Sequence, residues 1–270
     1  MLKQINTIRK WVEEQKPLIH CITNPITINQ CANAILAVGG RPMMAEHPLE
    51  VAEITATAQA LVLNLGNITD ARMESMMISS VVASGNNIPF VIDLVGIACS
   101  ELRRKFANEL IEENVPTLIK GNYSEINALY NSAYKSSGVD ADISLDVNSI
   151  SDIAVSLACK YNTIIIASGK TDIVTDGKKL VYVKNGTTKL AEVTGTGCML
   201  GVLCGCYLSV CKDINAAVTA CAILGICGEL SVTDKGSGSF MVNLIDNLSI
   251  ISDIVIENQL KMEVTEIEKA

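Results

Sequence analysis

The sequence is short of aromatic side chains, of positive charge and of histidine. Phe, Trp and Tyr supply 4% of 270 residues, so the core has to be built from Ile, Leu, Val, Ala, Met and Cys. Lys and Arg number 21 against 29 Asp and Glu, a net charge of −8. Nucleic-acid binding needs clustered Lys and Arg against the phosphates, which this balance excludes. The one short basic run, Arg103-Arg104-Lys105, reads as a solvated helix face. The two histidines are His20 and His47, and no C-x-x-C pair stands near them. A structural zinc site is therefore excluded. His20 sits in an apolar run and reads as a satisfied core residue, whereas His47 is a candidate to line a pocket. An apolar h-region is missing from Met1-Leu2-Lys3-Gln4-Ile5-Asn6, so no signal peptide is expected there. Long apolar runs are missing too. Residues 198–211 and 214–227 are the nearest, and runs of that length are buried helices rather than membrane spans.

What is present is apolar content, 49% against 19% charged, enough for one large α/β domain over 1–270. Ten cysteines are scattered through it, and Cys204, Cys206, Cys221 and Cys227 lie inside apolar runs. They read as small buried hydrophobes in a reducing, cytoplasmic setting.

The pattern alternates along the chain. Helical periodicity covers 5–14, 27–38, 71–84, 101–112 and 150–159. Between these lie short apolar runs at 18–21, 60–64, 90–92, 117–119 and 163–166. Continuous apolar runs are what strands of a parallel sheet look like when helices cover both faces. Gly39-Gly40 ends the second helix. The last part departs from the cycle. A hairpin is expected over 171–183, turning at Asp176-Gly177. Helices follow at 198–210, 215–231 and 239–258, and 131–142 reads as an excursion. The layout is doubly wound α/β, a mostly parallel central sheet with helices on both faces, and such sheets bind ligands beyond the carboxyl ends of their strands.

The residues at those ends are Asn64-Leu65-Gly66, Asp93-Leu94-Val95-Gly96, Lys120-Gly121-Asn122-Tyr123-Ser124-Glu125 and Ser168-Gly169-Lys170. Each alone could be a turn or a helix cap. Together, glycine beside carboxylate at successive strand ends suggests a site for a phosphate ester and a divalent cation. Mg²⁺ takes few carboxylates and keeps several waters, so Asp93 and Glu125 would suffice. Val193-Thr194-Gly195-Thr196-Gly197-Cys198 then opens an apolar helix. Glycine lets backbone N–H groups approach a ligand there, which makes an anion site; a glycine turn that serves close packing is the alternative. Two familiar motifs fail. The sixth position of G-x-G-x-x-G is Leu200, and the upstream glycine that a P-loop ending at Gly169-Lys170-Thr171 requires is Ile164.

Cys21-Ile22-Thr23-Asn24-Pro25-Ile26-Thr27-Ile28-Asn29, with Ala32-Asn33, resembles the N-terminal signature of the hydroxyethylthiazole kinase family, within the ribokinase-like superfamily. The likeness runs on through Pro42-Met43-Met44-Ala45, Leu63-Asn64-Leu65-Gly66, Asp93 with Val95-Gly96, Gly121-Asn122 with Glu125, and 193–200, and ends near Gly238-Ser239-Phe240. It implies a three-layer ribokinase-like fold and transfer of phosphate from ATP to 4-methyl-5-(2-hydroxyethyl)thiazole, a step of thiamine salvage. Carried over by position, Asn122 and Glu125 organise Mg²⁺ and its waters, joined by Asp93. Gly195, Thr196, Gly197 and Cys198 form the anion hole. Lys120, Ser168 and Asn122 meet the nucleotide, and Met44, Asn24 and Gly195 meet the thiazole. The family is usually trimeric, with its substrate pocket at a subunit boundary.

Some positions depart from the family pattern. Lys120 stands where Arg is common and cannot offer Arg's planar fork. Ser168 stands for Thr, Leu94 for Pro, and Lys235-Gly236-Ser237-Gly238 for a Gly-Pro-Gly turn. Most ribokinase-like enzymes carry an Asp base where this chain has Cys198. A thiol at a helix N-terminus is expected to have a lowered pKa and to be at best a modest base. Two other readings stay open: a different ribokinase-like kinase, against which the 21–29 stretch argues, and a hydrolase with Cys198 as nucleophile, which would need an oriented histidine.

Overall fold

Residues 1–136 and 145–267 are described in the computed structural model. The apolar runs pair side by side as strands: β1 (Leu18–Ile22), β2 (Arg41–Met43), β3 (Ala60–Asn64), β4 (Phe90–Asp93), β5 (Leu118–Asn122), β6 (Ile164–Ser168), β7 (Asp172–Thr175), β8 (Lys179–Val183) and β9 (Met262–Glu266). They form one sheet in the order β2-β1-β3-β4-β5-β6-β7-β8-β9. Pairing is parallel from β2 through β6 and antiparallel from β6 through β9.

Alternate residues of each strand feed two separate cores, as a pleat of period two requires. On β3, Ala60 and Val62 enter one core while Leu61 and Leu63 enter the other. The first core packs against α1 (Leu2–Gln15), α2 (Ile28–Ala37), α8 (Thr196–Leu208), α9 (Ile214–Leu230) and α10 (Ser237–Ile250), through Ile8, Ile35, Leu203, Ile223 and Leu244. The second packs against α4 (Asp70–Gly85), α5 (Glu101–Glu113), α6 (Tyr123–Tyr130) and α7 (Val147–Tyr161), through Met76, Leu110, Ile126 and Leu157. Val51 of the short helix α3 (Val51–Thr57) joins the second core. The result is three layers, helix, sheet and helix. Helices α8 and α9 are buried almost all round, which explains their unbroken apolar composition. Among the described residues no single helix is long and apolar enough to cross a membrane.

The expected helix over 239–258 is two helices. α10 ends at Ile250 and α11 (Asp253–Gln259) starts after a bend of 114°. Ser252 breaks the run: its backbone is extended and its hydroxyl accepts from Val255 N at 3.4 Å, a side-chain cap that begins a new helix. Five short elements were not expected: β2, α3, α6, β9 and a 3₁₀ turn at Thr188–Glu192. Of the expected excursion over 131–142, residues 137–142 lie outside the described residues.

Candidate active site

Strand register assembles the first part of the site. Asn64 at the end of β3 is the register partner of Asp93 at the end of β4, and Asp93 that of Lys120 on β5. One polar row therefore crosses the carboxyl ends of three neighbouring strands. Asp93 is fully buried and Lys120 is 4% exposed. Buried charges have to be paired, and here Lys120 Nζ lies 2.9 Å from Asp93 Oδ1 while Asn64 Nδ2 donates to Asp93 Oδ2 at 2.8 Å. Burial pushes the Asp93 carboxyl up, against the pull of Lys120 and Asn64. Burial also works against the Lys120 charge, but Asp93 and Glu125 outweigh it and hold the ammonium well above its ordinary value.

The row continues into Cys198. Asn24 Nδ2 donates to Asn64 Oδ1 at 3.1 Å, and the Asn24 and Asn64 amides lie 3.4 and 3.3 Å from Cys198 Sγ. Asn24 is itself fixed by Thr27 N, which donates to Oδ1 at 3.1 Å just before α2. The thiol does not have the lowered pKa expected of a helix start. It is raised, because burial and then Asp93 outweigh Lys120 and the donors around the sulfur. Asn64 carried no role in the sequence reading, yet it links Asp93 to Cys198. Its signal was there: a lone amide ending an otherwise apolar strand.

Glu125 reaches the same place from α6. Asn122 caps that helix, its side chain accepting from Glu125 N at 2.9 Å, and Glu125 Oε2 accepts from Asn122 N at 2.7 Å. The other oxygen, Oε1, accepts from Gly96 N at 2.8 Å. This closed capping box leaves Glu125 buried, and burial, only partly offset by Lys120 and the two N–H donors, raises its pKa to about 7. Among the described residues no group of three or more His, Cys, Asp or Glu side chains could hold a metal ion. Both oxygens of Asp93 and both of Glu125 already have donors. A divalent cation would fit here only by keeping its waters and meeting the protein through them.

The glycine turn before α8 is open. Gly195 is the N-cap with φ +101, a conformation that favours glycine, and no side chain caps the helix. The first helical bond is Met199 N to Gly195 O at 2.8 Å, and the N–H groups of Thr196, Gly197 and Cys198 meet no acceptor among the described residues. Thr196 Oγ1 donates to Leu190 O at 2.7 Å, which ties down the preceding loop.

Two cavities flank this turn. One, of about 500 Å³, is lined by Asn24, Lys120, Asn122, Glu125, Arg103 and Gly195 to Cys198, among others. The second, of about 630 Å³, runs beside Gly169, Asp172, Asn185 and Leu224. Ser168, Thr196 and Gly197 line both. Met44, after β2, lines neither; it packs partly buried against the first core. His20 is a satisfied core residue, its ring nitrogens 2.9 Å from Thr55 Oγ1 and 3.0 Å from Ala45 O. His47 Nδ1 accepts from Leu49 N at 3.2 Å in a turn. Neither histidine lines the cavity that holds Cys198, so the hydrolase reading loses the base it needs.

The basic run is not a solvated face. Only Lys105 is exposed, paired with Glu101. Arg104 is buried and donates to the carbonyls of Ile97, Ala98, Ser132 and Tyr134. Arg103 lines the first cavity.

Comparison with known proteins agrees with this geometry. Residues 9–253 match the model of the hydroxyethylthiazole kinase family. The chain belongs to that family. A hydroxyethylthiazole kinase 2 of Clostridium botulinum is 46% identical over 94% of this chain and 98% of its own. A hydroxyethylthiazole kinase of Thermoanaerobacter pseudethanolicus is 40% identical, over 94% and 97%. The solved hydroxyethylthiazole kinase of Pyrococcus horikoshii superposes with a TM-score of 0.90 at 32% identity, covering 98% of this chain and all of that one. A Bacillus subtilis pyridoxal kinase superposes with a TM-score of 0.63 at 13% identity, over 82% of this chain and 95% of its own, which shows the ribokinase-like fold. Membership of the hydroxyethylthiazole kinase family makes the chain an enzyme, a phosphotransferase with an alcohol as acceptor.

Proposed function

We propose that this chain is a single kinase domain that transfers the γ-phosphoryl group of ATP to the hydroxyl of 4-methyl-5-(2-hydroxyethyl)thiazole, in thiamine salvage. The observation that carries the reading is the uncapped start of α8, which shares one cavity with Lys120, Asn24 and Cys198, the three held together from behind by buried Asp93 and Asn64. Phosphoryl transfer asks mainly for positioning and for neutralised charge, and that arrangement provides both.

In this reading the nucleoside occupies the second cavity, and its phosphates pass Ser168 and Gly197 into the first, where Lys120 and Asn122 meet them. The thiazole lies beside Asn24 and Gly195 with its hydroxyl near Cys198. The hydroxyl oxygen bonds to the γ-phosphorus, the bond from that phosphorus to the β–γ bridging oxygen breaks, ADP leaves with that oxygen, and the hydroxyl proton passes late to an oxygen of the transferred phosphoryl group and from there to water. The open N–H groups of Thr196, Gly197 and Cys198 receive the charge on the transferring group. Mg²⁺, when bound, screens the charge of the phosphates. Glu125 with Asn122 would hold its waters, and Asp93, behind Lys120, keeps that ammonium in place. With its pKa raised, Cys198 is a neutral thiol at pH 7 and orients the hydroxyl more than it deprotonates it.

We place Met44 in a pocket completed by a second subunit of a homotrimer, since it lines neither cavity of one chain while Met43 and Leu49 beside it in sequence are exposed. The apparent mass in sedimentation tests that. A cytoplasmic location is supported by ten cysteines that are all unpaired. The reaction is tested by adding ATP, Mg²⁺ and the thiazole alcohol and following ADP. Thiazole-dependent ADP release is expected. No release, or release only with a pyrimidine or pyridine alcohol, would reject the assignment.

A further inference from the structure

Arg103 is a half-buried cation with no ionic partner among the described residues. It is the third residue of α5, where side chains lean back over the preceding turn toward the helix start. That direction takes it over the β4–α5 loop and into the wall of the first cavity, with Lys120, Asn122 and Glu125. Its Nη1 donates to Val95 O at 3.2 Å, and among the described residues no carboxylate lies within ion-pair distance. A half-buried guanidinium with a single carbonyl partner is under-used, because it offers five N–H donors.

The loop is shaped to let it in. Gly96 has φ +81, and a Cβ there would stand 2.2 Å from Arg103 Nη1. The same glycine gives its N–H to Glu125 Oε1 at 2.8 Å. One residue thus seats the guanidinium above the loop and holds the carboxylate below it. Lys120, the other cation of the wall, is already committed to Asp93 at 2.9 Å. A lysine that neutralises a buried carboxylate leaves little net charge for a polyphosphate. The cation of the wall left without a carboxylate partner among the described residues is then Arg103, whose planar fork suits phosphate oxygens.

We infer that Arg103 binds the polyphosphate of the nucleotide, as a cation of the cavity separate from the Lys120–Asp93 pair. The inference rests on the kinase reading above. Its main rival is a structural one, in which Arg103 only latches the loop that carries Gly96.

Arg103→Gln in the full-length chain separates these, with Arg103→Lys as the variant that keeps the stem and charge. The KM for ATP should rise about tenfold to a hundredfold in Arg103→Gln, the range for losing charge-assisted hydrogen bonds. The KM for the thiazole alcohol should stay put, and Arg103→Lys should recover part of the loss. Calorimetry with nucleotide alone gives an arm independent of the acceptor: ADP should bind more weakly to Arg103→Gln by a similar factor, and adenosine equally well. An unchanged KM for ATP overturns the inference. So does equal weakening of ADP and adenosine, or a fall in kcat alone, which a loop latch would give. If the wild-type chain binds ADP through Arg103 but never phosphorylates the thiazole alcohol, the kinase assignment fails while the phosphate contact stands.

Discussion

Helices α6 and α8 begin at the rim of one cavity in opposite ways. α6 is closed: Asn122 and Glu125 satisfy its first N–H groups reciprocally. α8 is open: glycine stands at its cap and its first N–H groups have no acceptor among the described residues. An orphaned helix start is a cost that folded chains usually remove with a Ser, Thr, Asp or Asn cap, as Ser100, Asp146 and Asp213 do elsewhere here. The contrast separates polar groups that hold the fold from polar groups left for a ligand.

The contrast breaks most sharply at Gly195. A residue with a Cβ at φ +101 is strained, and that Cβ would stand 3.0 Å from Thr27 Cγ2. Gly195→Val should re-aim the open N–H groups and lower kcat by at least about 10²-fold, the scale for losing an oxyanion donor. Circular dichroism should show the helices retained. A variant with near-normal kcat would mean that the turn serves packing only.

Glu125 sharpens the closed side. Its pKa is raised from 4.5 to about 7, mainly by burial. Across that window the folded chain holds a proton that the unfolded chain has lost. The stabilisation is therefore complete below about 4.5 and is lost as pH rises through about 7. Melting temperature should fall over this range in the wild type and vary less in Glu125→Gln. In the same range kcat/KM should climb with pH as the carboxylate forms. Glu125→Gln should flatten that limb and lower activity about tenfold or more, the lower end for losing an interaction with a charged group.

Asn122→Ala is a smaller test on the same helix. It opens the capping box and should cost about 1 kcal/mol in urea denaturation. The equivalent loss has no counterpart on α8, which has no side-chain cap to remove.

Much of this was legible in the sequence, for physical reasons. β3 is apolar on both faces because helices cover both, so its continuous run signals a buried strand. β2, Arg41-Pro42-Met43, carries no such signal; it is a strand because its backbone pairs with β1 in the register Leu18 to Arg41. α6 carries little signal in the sequence because it spans 8 residues, and the Asn122 and Glu125 that cap it are the same two residues that the family resemblance assigns to Mg²⁺ and its waters. The strand-end residues were legible as a group, but their pairing was not, since register alone sets Asp93 beside Lys120 and Asn64. A charge run does not say which member turns inward. Arg104 is buried by the carbonyls of a loop distant in sequence, and Arg103 is aimed by a glycine at 96.

Cys198 is where the two kinds of polar group meet, and it gives the smallest predicted effect. Its N–H belongs to the open helix start, while its sulfur is held by the Asn24 and Asn64 amides. Position at a helix N-terminus argues for a thiolate; burial and the neighbouring Asp93 argue for a thiol, and they win. A neutral thiol removes few protons at pH 7, and a loose phosphoryl-transfer transition state needs little from a base. Cys198→Ala should therefore lower kcat by less than about tenfold, below the usual gain from general base catalysis. Iodoacetamide should alkylate Cys198 slowly at pH 7. Cys198→Asp keeps an acceptor for both amides and offers a carboxylate, ionised more readily than the thiol, so turnover should be equal or faster. If Cys198→Asp abolishes turnover while the fold and nucleotide binding survive, residue 198 is not at the acceptor hydroxyl, and the open helix start serves the nucleotide alone.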